Sequence, residues 1–175
     1  MDKPKRCGGL TTCKLLLIAS EASKMGKTAL GTAIVSALRG QGRLCAVKHV
    51  HHGVDYRVKD TGRYLESGTN LVIAVGPHEV MSVERVSTDL AAILCKVCSS
   101  CDYIVVEGFK EQLDGVVAAG GCAAVITMDP TTWDRHVGSE KVLVITPGQI
   151  EMAVDGLVEM LRKNCNYIGC QHDAR

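Results

Sequence analysis

Aromatic residues are scarce in this chain of 175 residues, which has one Phe, one Trp and four Tyr. Single-stranded nucleic acids stack on aromatic side chains, so that binding class has little support. The 20 Lys and Arg nearly balance 19 Asp and Glu, which argues against a broadly basic surface. No apolar run approaches the roughly 20 residues of a membrane span, and residues 15–19 are too short for a signal peptide. We therefore expect a cytoplasmic protein without nucleic-acid or membrane partners.

Cysteine is abundant, because the chain contains nine. The odd number leaves at least one cysteine unpaired within a monomer. The run CKVCSSC at 95–101 has two interpretations, an iron–sulfur or zinc site or small apolar side chains on a packed helix. No fourth cysteine follows at cluster spacing, although Cys122 is available if the fold brings it close. Cys165 and Cys170 are candidates for a local disulfide.

Apolar runs of strand length alternate with helical patterns along most of the chain. This alternation predicts an α/β fold with a doubly wound, mostly parallel sheet and helices on both faces. The predicted strands are 14–19, 44–49, 70–75, 103–106, 122–128 and 141–145, with 80–86 ambiguous, and the predicted helices are 26–40, 60–67, 88–100 and 150–161. We expect a lead-in at 1–13, one nucleotide-binding domain at 14–162 and a tail at 163–175.

A phosphate-binding loop is predicted where SEASKMGKT, residues 20–28, joins the first strand to the first helix. Gly26, Lys27 and Thr28 match the end of the G-x-x-x-x-G-K-[ST] pattern. The glycine allows close backbone approach, the lysine supplies charge to phosphates, and the threonine hydroxyl can ligate Mg²⁺. The alternative is a plain strand-to-helix turn. The predicted nucleotide contacts are Ser23, Lys24, Gly26, Lys27, Thr28 and Ala29.

Glu21 occupies the position of the first glycine of that pattern. A carboxylate there either repels phosphates and forces an unusual turn, or points away and accepts a hydrogen bond from a neighbouring N–H group.

Polar residues follow two other predicted strands, where ligands bind in doubly wound sheets. Glu107 ends the apolar run YIVV and is a candidate for holding Mg²⁺, with Gly108 permitting close approach to phosphates. The second strand runs into the segment KHVHH, residues 48–52. Its histidines fit a metal or a phosphorylated ligand, although their spacing is not that of a structural zinc site, and the alternative is a solvated loop.

Three segments together resemble the adaptor protein B family of molybdopterin-guanine dinucleotide biosynthesis, the MobB family. They are GKT at 26–28, KHVHH at 48–52 with DTGR downstream at 60–63, and VVEGFK at 105–110. The resemblance covers roughly residues 14–161. It implies a P-loop NTPase-like fold, that is, a P-loop NTPase-like doubly wound, mostly parallel sheet with helices on both faces. It also implies a dimeric GTP-binding protein with weak GTP hydrolysis. It also implies pathway partners, namely the molybdenum cofactor guanylyltransferase and molybdopterin or its guanine dinucleotide.

The resemblance also implies roles for individual residues. Lys27 and Glu107 are the implied catalytic residues, and Thr28 and Glu107 the implied Mg²⁺ ligands. Asp129, which ends the apolar run VITMD, is placed near the nucleotide base. The residues implied to line a groove for the cofactor are Lys48, His49, His51, His52, Asp60 and Arg63.

Two other functions remain open at this stage. A P-loop small-molecule kinase or ligase would use the same nucleotide site and could use His49 or His51 as its acid or base. A redox or metal-binding module built on the cysteines at 95–101 would carry a degenerate nucleotide site.

Overall fold

The computed structural model of the chain describes residues 12–50, 60–84, 89–136 and 138–168. The chain separates into two compact units, one formed by residues 1–49 and 90–175 and the other by residues 50–89. Within the described ranges, no helix is both long and apolar enough to cross a membrane.

A parallel sheet forms the centre of the first unit, with strands in the order β2-β5-β1-β6-β7. A short strand, β8, pairs antiparallel with β1. Continuous apolar runs produce these strands because both faces of the sheet are covered. The strand bounds are β1 Thr12–Ser20, β2 Leu44–Lys48, β5 Tyr103–Glu107, β6 Cys122–Ile126, β7 Val142–Ile145 and β8 Tyr167–Ile168.

Helices cover both faces of this sheet, as the sequence predicts. Leu15 and Leu17 of β1 pack on one face with α3 and α4, whereas Leu16 and Ile18 pack on the other with α1 and α5. Alternate residues of a strand point to opposite faces, so β1 contributes to two hydrophobic cores. The helices are α1 Lys27–Ala37, α3 Leu90–Cys98, α4 Leu113–Ala118 and α5 Ile150–Asn164, with 3₁₀ turns at Lys110–Gln112, Pro130–His136 and Pro147–Gln149.

The second unit contains a helix and a β-hairpin. Helix α2 spans Asp60–Glu66, and strands β3 (Leu71–Val75) and β4 (Val80–Glu84) pair antiparallel. The prediction that 70–75 joins the main parallel sheet is therefore wrong. An antiparallel pair needs only a short turn, and Gly76 donates its backbone N–H to the Glu79 carbonyl at 2.8 Å within that turn.

Three disulfides join pairs of described cysteines in the first unit. Cys13–Cys98 joins β1 to α3, Cys45–Cys101 joins β2 to the segment before β5, and Cys122–Cys165 joins β6 to the residue after α5.

These disulfides decide between the two interpretations of the run at 95–101. Cys98 and Cys101 bond to separate elements, and Cys95 is also in a disulfide. The interpretation of a joint metal site is therefore wrong. The proposed Cys165–Cys170 pair is wrong as well, because Cys165 bonds to Cys122. The predicted domain limits stay a prediction.

Candidate functional site

The loop between β1 and α1 contains two residues with left-handed backbone conformations. Gly26 precedes α1 with a φ of 94°, and a side chain there would collide with Ile150. Lys24 also has a positive φ, 61°. A non-glycine residue in this region stores backbone strain, which is concentrated at functional sites. The loop ends where α1 begins, and the amino-terminal residues of α1 line an open cavity.

Lys27 bends back over the loop from the first turn of α1. Its ammonium donates hydrogen bonds to the Ser20 hydroxyl at 2.6 Å and to the Ala22 carbonyl at 3.2 Å. These contacts hold the positive charge next to the loop backbone, where it can face an anionic ligand.

Thr28, Lys48 and Glu107 meet at the carboxyl ends of the central strands. The Thr28 hydroxyl donates to both carboxylate oxygens of Glu107, at 2.9 and 3.0 Å. Lys48 and Glu107 are register partners on β2 and β5, and the Lys48 ammonium lies 3.4 Å from Glu107 Oε1 and 3.5 Å from the Thr28 hydroxyl. The sheet thus brings together three residues that are distant in sequence.

A cavity of about 250 Å³ opens above this cluster. It is lined by Lys24, Gly26, Lys27, Thr28, Ala29 and Glu107. Five of the six predicted nucleotide contacts therefore line one space together with the predicted metal-holding acid; the sixth, Ser23, lies in the same loop.

The segment after Glu107 packs closely against the end of β2. Gly108 has a φ of 95°, and a Cβ there would come within 2.7 Å of the His49 Cβ. Phe109, with a φ of 52°, stacks on the His49 ring at a centroid distance of 4.5 Å. His49 therefore lies beside the end of β5 at Glu107, and its role in a groove for the cofactor stays a prediction.

The remaining predicted site residues belong to other parts of the chain. His51 and His52 fall outside the described residues. Arg63 and the start of α2 at Asp60 belong to the second unit. The Asp129 carboxylate accepts hydrogen bonds from the Thr131 backbone N–H at 3.0 Å and hydroxyl at 2.6 Å. Asp129 therefore caps the following 3₁₀ turn, and its proximity to a base stays a prediction.

Glu21 is directed toward the segment that follows β6. Its Oε1 accepts hydrogen bonds from the Thr132 hydroxyl at 2.8 Å and the Trp133 indole N–H at 3.2 Å. Hydrogen bonds from Thr127 and Thr132, with a smaller one from Trp133, hold the pKa of Glu21 below its ordinary value. The second of the two sequence interpretations is therefore correct: the carboxylate points away and ties the phosphate loop to its neighbour.

Sequence reasoning missed the partners of Glu21. A cavity of about 330 Å³ is lined by Glu21, Lys110, Thr132, Trp133 and Arg135. No local sequence pattern links Glu21 to side chains more than a hundred positions away. The one feature that set a partner of Glu21 apart in the sequence is that Trp133 is the single tryptophan.

Glu21→Gln should lower the free energy of unfolding and leave GTP affinity unchanged. The reason is that the carboxylate accepts hydrogen bonds from Thr132 and Trp133 rather than facing the phosphates. A lowered pKa in the folded state contributes stability above the ordinary carboxyl pKa, and this contribution is lost as the pH falls through the folded pKa. The stability difference between the parent and Glu21→Gln should therefore narrow in acid. Urea unfolding from pH 7 to pH 3 tests this, with the exposed Glu151→Gln as a control. Tighter GTP binding by Glu21→Gln would restore the repulsion interpretation.

Comparison with known proteins identifies relatives of this fold. A family model described as molybdopterin guanine dinucleotide synthesis protein B matches residues 15–117. None of the curated protein sequences compared with the chain matches it.

Solved structures agree with the family match. A crystal structure of molybdopterin-guanine biosynthesis protein B is 22% identical, with a TM-score of 0.59 over 85% of this chain and 99% of that chain. MobB from Bacillus subtilis is 20% identical, with a TM-score of 0.57 over 86% and 99%. A MobB homologue from Bacillus stearothermophilus is 16% identical, with a TM-score of 0.55 over 85% and 98%. At these identities the structures establish the shared fold.

The predicted fold class and the predicted family are both confirmed. Since the family model spans more than half of the chain, the chain belongs to the molybdopterin guanine dinucleotide synthesis protein B family, MobB.

Proposed function

We propose that the chain is a GTP-binding accessory protein that hydrolyses GTP weakly. The pathway it serves is the synthesis of molybdopterin guanine dinucleotide, a role that family membership supports. The observation that carries the nucleotide proposal is the convergence of Lys27, Thr28 and Glu107 on one cavity. The chain has no N/T-K-x-D run from which a preference for guanine could be predicted. The proposed preference for guanine therefore rests on family membership.

Calorimetric titration with GTP and ATP, each with and without Mg²⁺, tests the nucleotide proposal. We expect GTP to bind more tightly than ATP. Turnover of a small-molecule acceptor with bound nucleotide would instead favour the kinase or ligase alternative.

Thr28 and Glu107 fit Mg²⁺ because both offer oxygen atoms, the ligands that this hard cation prefers. Their hydroxyl and carboxylate already meet within 3.0 Å at the edge of the cavity. Bound Mg²⁺ would neutralise phosphate oxygens. The Lys48 ammonium contacts the same two side chains, so the protein itself also places a positive charge beside them.

Glu107→Gln should weaken Mg²⁺ binding about 10- to 100-fold and slow Mg²⁺-dependent GTP hydrolysis, while metal-free GTP binding persists. Replacing a carboxylate oxygen by an amide removes the charge that holds the cation. Titration with Mn²⁺ followed by electron paramagnetic resonance measures the metal affinity directly. Glu111→Gln, an exposed carboxyl in the adjacent 3₁₀ turn, is the matched control. Equal metal affinity in Glu107→Gln and the parent would remove Glu107 from the metal site.

We propose a molybdenum cofactor guanylyltransferase and molybdopterin, or its guanine dinucleotide, as partners. GMP transfer by that enzyme should accelerate when this protein is added with GTP. The Lys27→Ala variant, which lacks the cation of the phosphate loop, should give no acceleration. The cytoplasmic location also stays a prediction.

A homodimer is supported by the exposed face of the hairpin in the second unit. Leu71, Ile73 and Val75 alternate along β3 and are 45%, 57% and 76% exposed, and Val80, which pairs with Val75, is 67% exposed. A two-stranded hairpin alone is marginally stable in water, and its edges offer unpaired backbone groups. A second copy of the same hairpin would cover the exposed apolar side chains and the unpaired backbone groups.

Ile73→Lys combined with Val75→Lys should convert the dimer to a monomer, because two buried charges would face the partner copy. Light scattering after size-exclusion chromatography measures the mass. Met152→Lys, at an equally exposed apolar position on α5, is the control and should remain dimeric. A dimer that survives the double change would place the interface elsewhere.

A further inference from the structure

Neighbouring strands place Lys48 and Glu107 on the same face of the central sheet. The two residues are register partners at the carboxyl ends of β2 and β5, as are Ala46 and Val105 two positions earlier. Alternate residues of a strand point to opposite faces. Val105 packs in the core that contains α1, so Lys48 and Glu107 face α1, where Thr28 lies in the first turn.

The Lys48 ammonium and the Glu107 carboxylate form an ion pair at the edge of the phosphate cavity. Nζ of Lys48 lies 3.4 Å from Oε1 of Glu107 and 3.5 Å from the Thr28 hydroxyl oxygen. The Lys48 side chain is 54% exposed, whereas the Glu107 side chain is 18% exposed and lines the cavity. Glu107 is therefore the more enclosed member of the pair, and Lys48 is the more accessible one.

The negative charge of Glu107 opposes the entry of phosphates into this cavity. Repulsion between like charges a few ångströms apart is stronger in a partly enclosed space than in bulk water. Lys27, the cation of the phosphate loop, donates its hydrogen bonds to Ser20 and Ala22. Among the described residues, Lys48 is the cation paired with Glu107. Lys48 is thus placed to offset the charge that phosphates would meet.

We propose that Lys48 is a positioning residue that offsets the charge of Glu107 and so allows the cavity to accept a nucleoside triphosphate without a divalent cation. Lys48 acts through Glu107 and does not itself need to contact phosphate. When Mg²⁺ is bound by Glu107 and Thr28, Lys48 is no longer needed to offset that charge. The inference rests on the nucleotide-binding function proposed above. It assigns Lys48 to the nucleotide site rather than to a groove for the cofactor.

Isothermal titration of the parent and Lys48→Met with GTP, in EDTA and in saturating Mg²⁺, tests this role. In EDTA, Lys48→Met should bind GTP about tenfold more weakly, because the charge of Glu107 is left uncompensated. In Mg²⁺, the two proteins should agree within about threefold, because the divalent cation becomes the largest local charge. Damage to packing or folding would weaken binding by the same factor in both conditions, so the dependence on Mg²⁺ identifies the electrostatic role.

Three further variants show whether Lys48 acts through its charge and through Glu107. Lys48→Arg keeps the charge and should bind metal-free GTP like the parent. Glu107→Gln removes the carboxylate charge, so adding Lys48→Met to it should not weaken metal-free binding further. Lys110→Met is the matched control for removing a positive charge close to Glu107 in sequence, since the Lys110 ammonium lies over the Trp133 ring, 5.7 Å from its centroid. Its ratio of GTP affinities in the two conditions should equal that of the parent.

Two results would overturn the inference while leaving the proposed nucleotide function intact. One is a parent that binds GTP together with a Lys48→Met variant whose affinity is unchanged in EDTA, or is weakened equally in EDTA and in Mg²⁺. The other is a loss in EDTA that persists in the Glu107→Gln background, because Lys48 would then act on the phosphates directly. Absence of GTP binding by the parent in both conditions would overturn the nucleotide function and the inference with it.

Discussion

Replacing Lys27 by alanine should weaken GTP binding by about 2–3 kcal/mol, or about 30- to 150-fold. The ammonium is already positioned at the loop by the Ser20 hydroxyl and the Ala22 carbonyl, so it reaches an anionic ligand with little ordering of the side chain. Hydrogen bonds to charged groups contribute about 1.5–3 kcal/mol each. Isothermal titration with GTP measures the loss.

Lys163→Ala is the control for the removal of one positive charge. Lys163 lies on α5 and pairs with Glu159 one turn away, so GTP affinity should not change. Thermal unfolding of Lys27→Ala without nucleotide separates lost binding from lost folding. A parent-like GTP affinity in Lys27→Ala would refute the assignment of a phosphate-binding loop.

Removing the Cys122–Cys165 disulfide should lower the free energy of unfolding by about 4 kcal/mol. Both cysteines are fully buried, and the bond closes a loop across a sequence separation of 43 residues. Closing a loop of this length restricts the unfolded chain and so favours the folded state. Urea unfolding of the double variant Cys122→Ala with Cys165→Ala measures the effect.

The same measurement under reducing conditions isolates the cross-link from the packing. With the disulfides of both proteins reduced, the difference between parent and variant should shrink to the packing cost of replacing two buried thiol groups by hydrogen. An equal difference in both conditions would assign the effect to packing rather than to the bond.

The sequence was most informative where apolar runs are continuous. KLLLIA, YIVV and KVLVI predicted three strands of the main sheet, and each is a strand in the structure. Such runs are typical of strands that are buried on both faces of a parallel sheet. Few other secondary structures fit them, so the prediction of a strand is secure at these positions. Helix α4 was not predicted, because LDGVVA contains a glycine and two β-branched valines that lower helix propensity.

The site was predictable in part for a similar reason. The GKT motif follows one predicted strand, and the Glu107 carboxylate ends another. The carboxyl ends of parallel strands lie at the same edge of a sheet, so Thr28 and Glu107 meet there. The partners of Glu21 and the cysteine pairs are not encoded locally, since cysteine connectivity depends on the folded topology. Thr132 and Trp133 approach Glu21 only after β6 pairs with β1.

The central position of β1 has a consequence for synthesis on the ribosome. Lys14 pairs with Tyr103, so β1, the longest of the described strands, is made 89 positions before its first parallel neighbour. At about 5–20 residues per second this interval lasts roughly 5–20 s. During that time β1 emerges with open backbone edges and no sheet neighbour, the state in which strands pair with other chains. The order of synthesis therefore leaves β1 without its two parallel neighbours until translation has passed β5 and then β6.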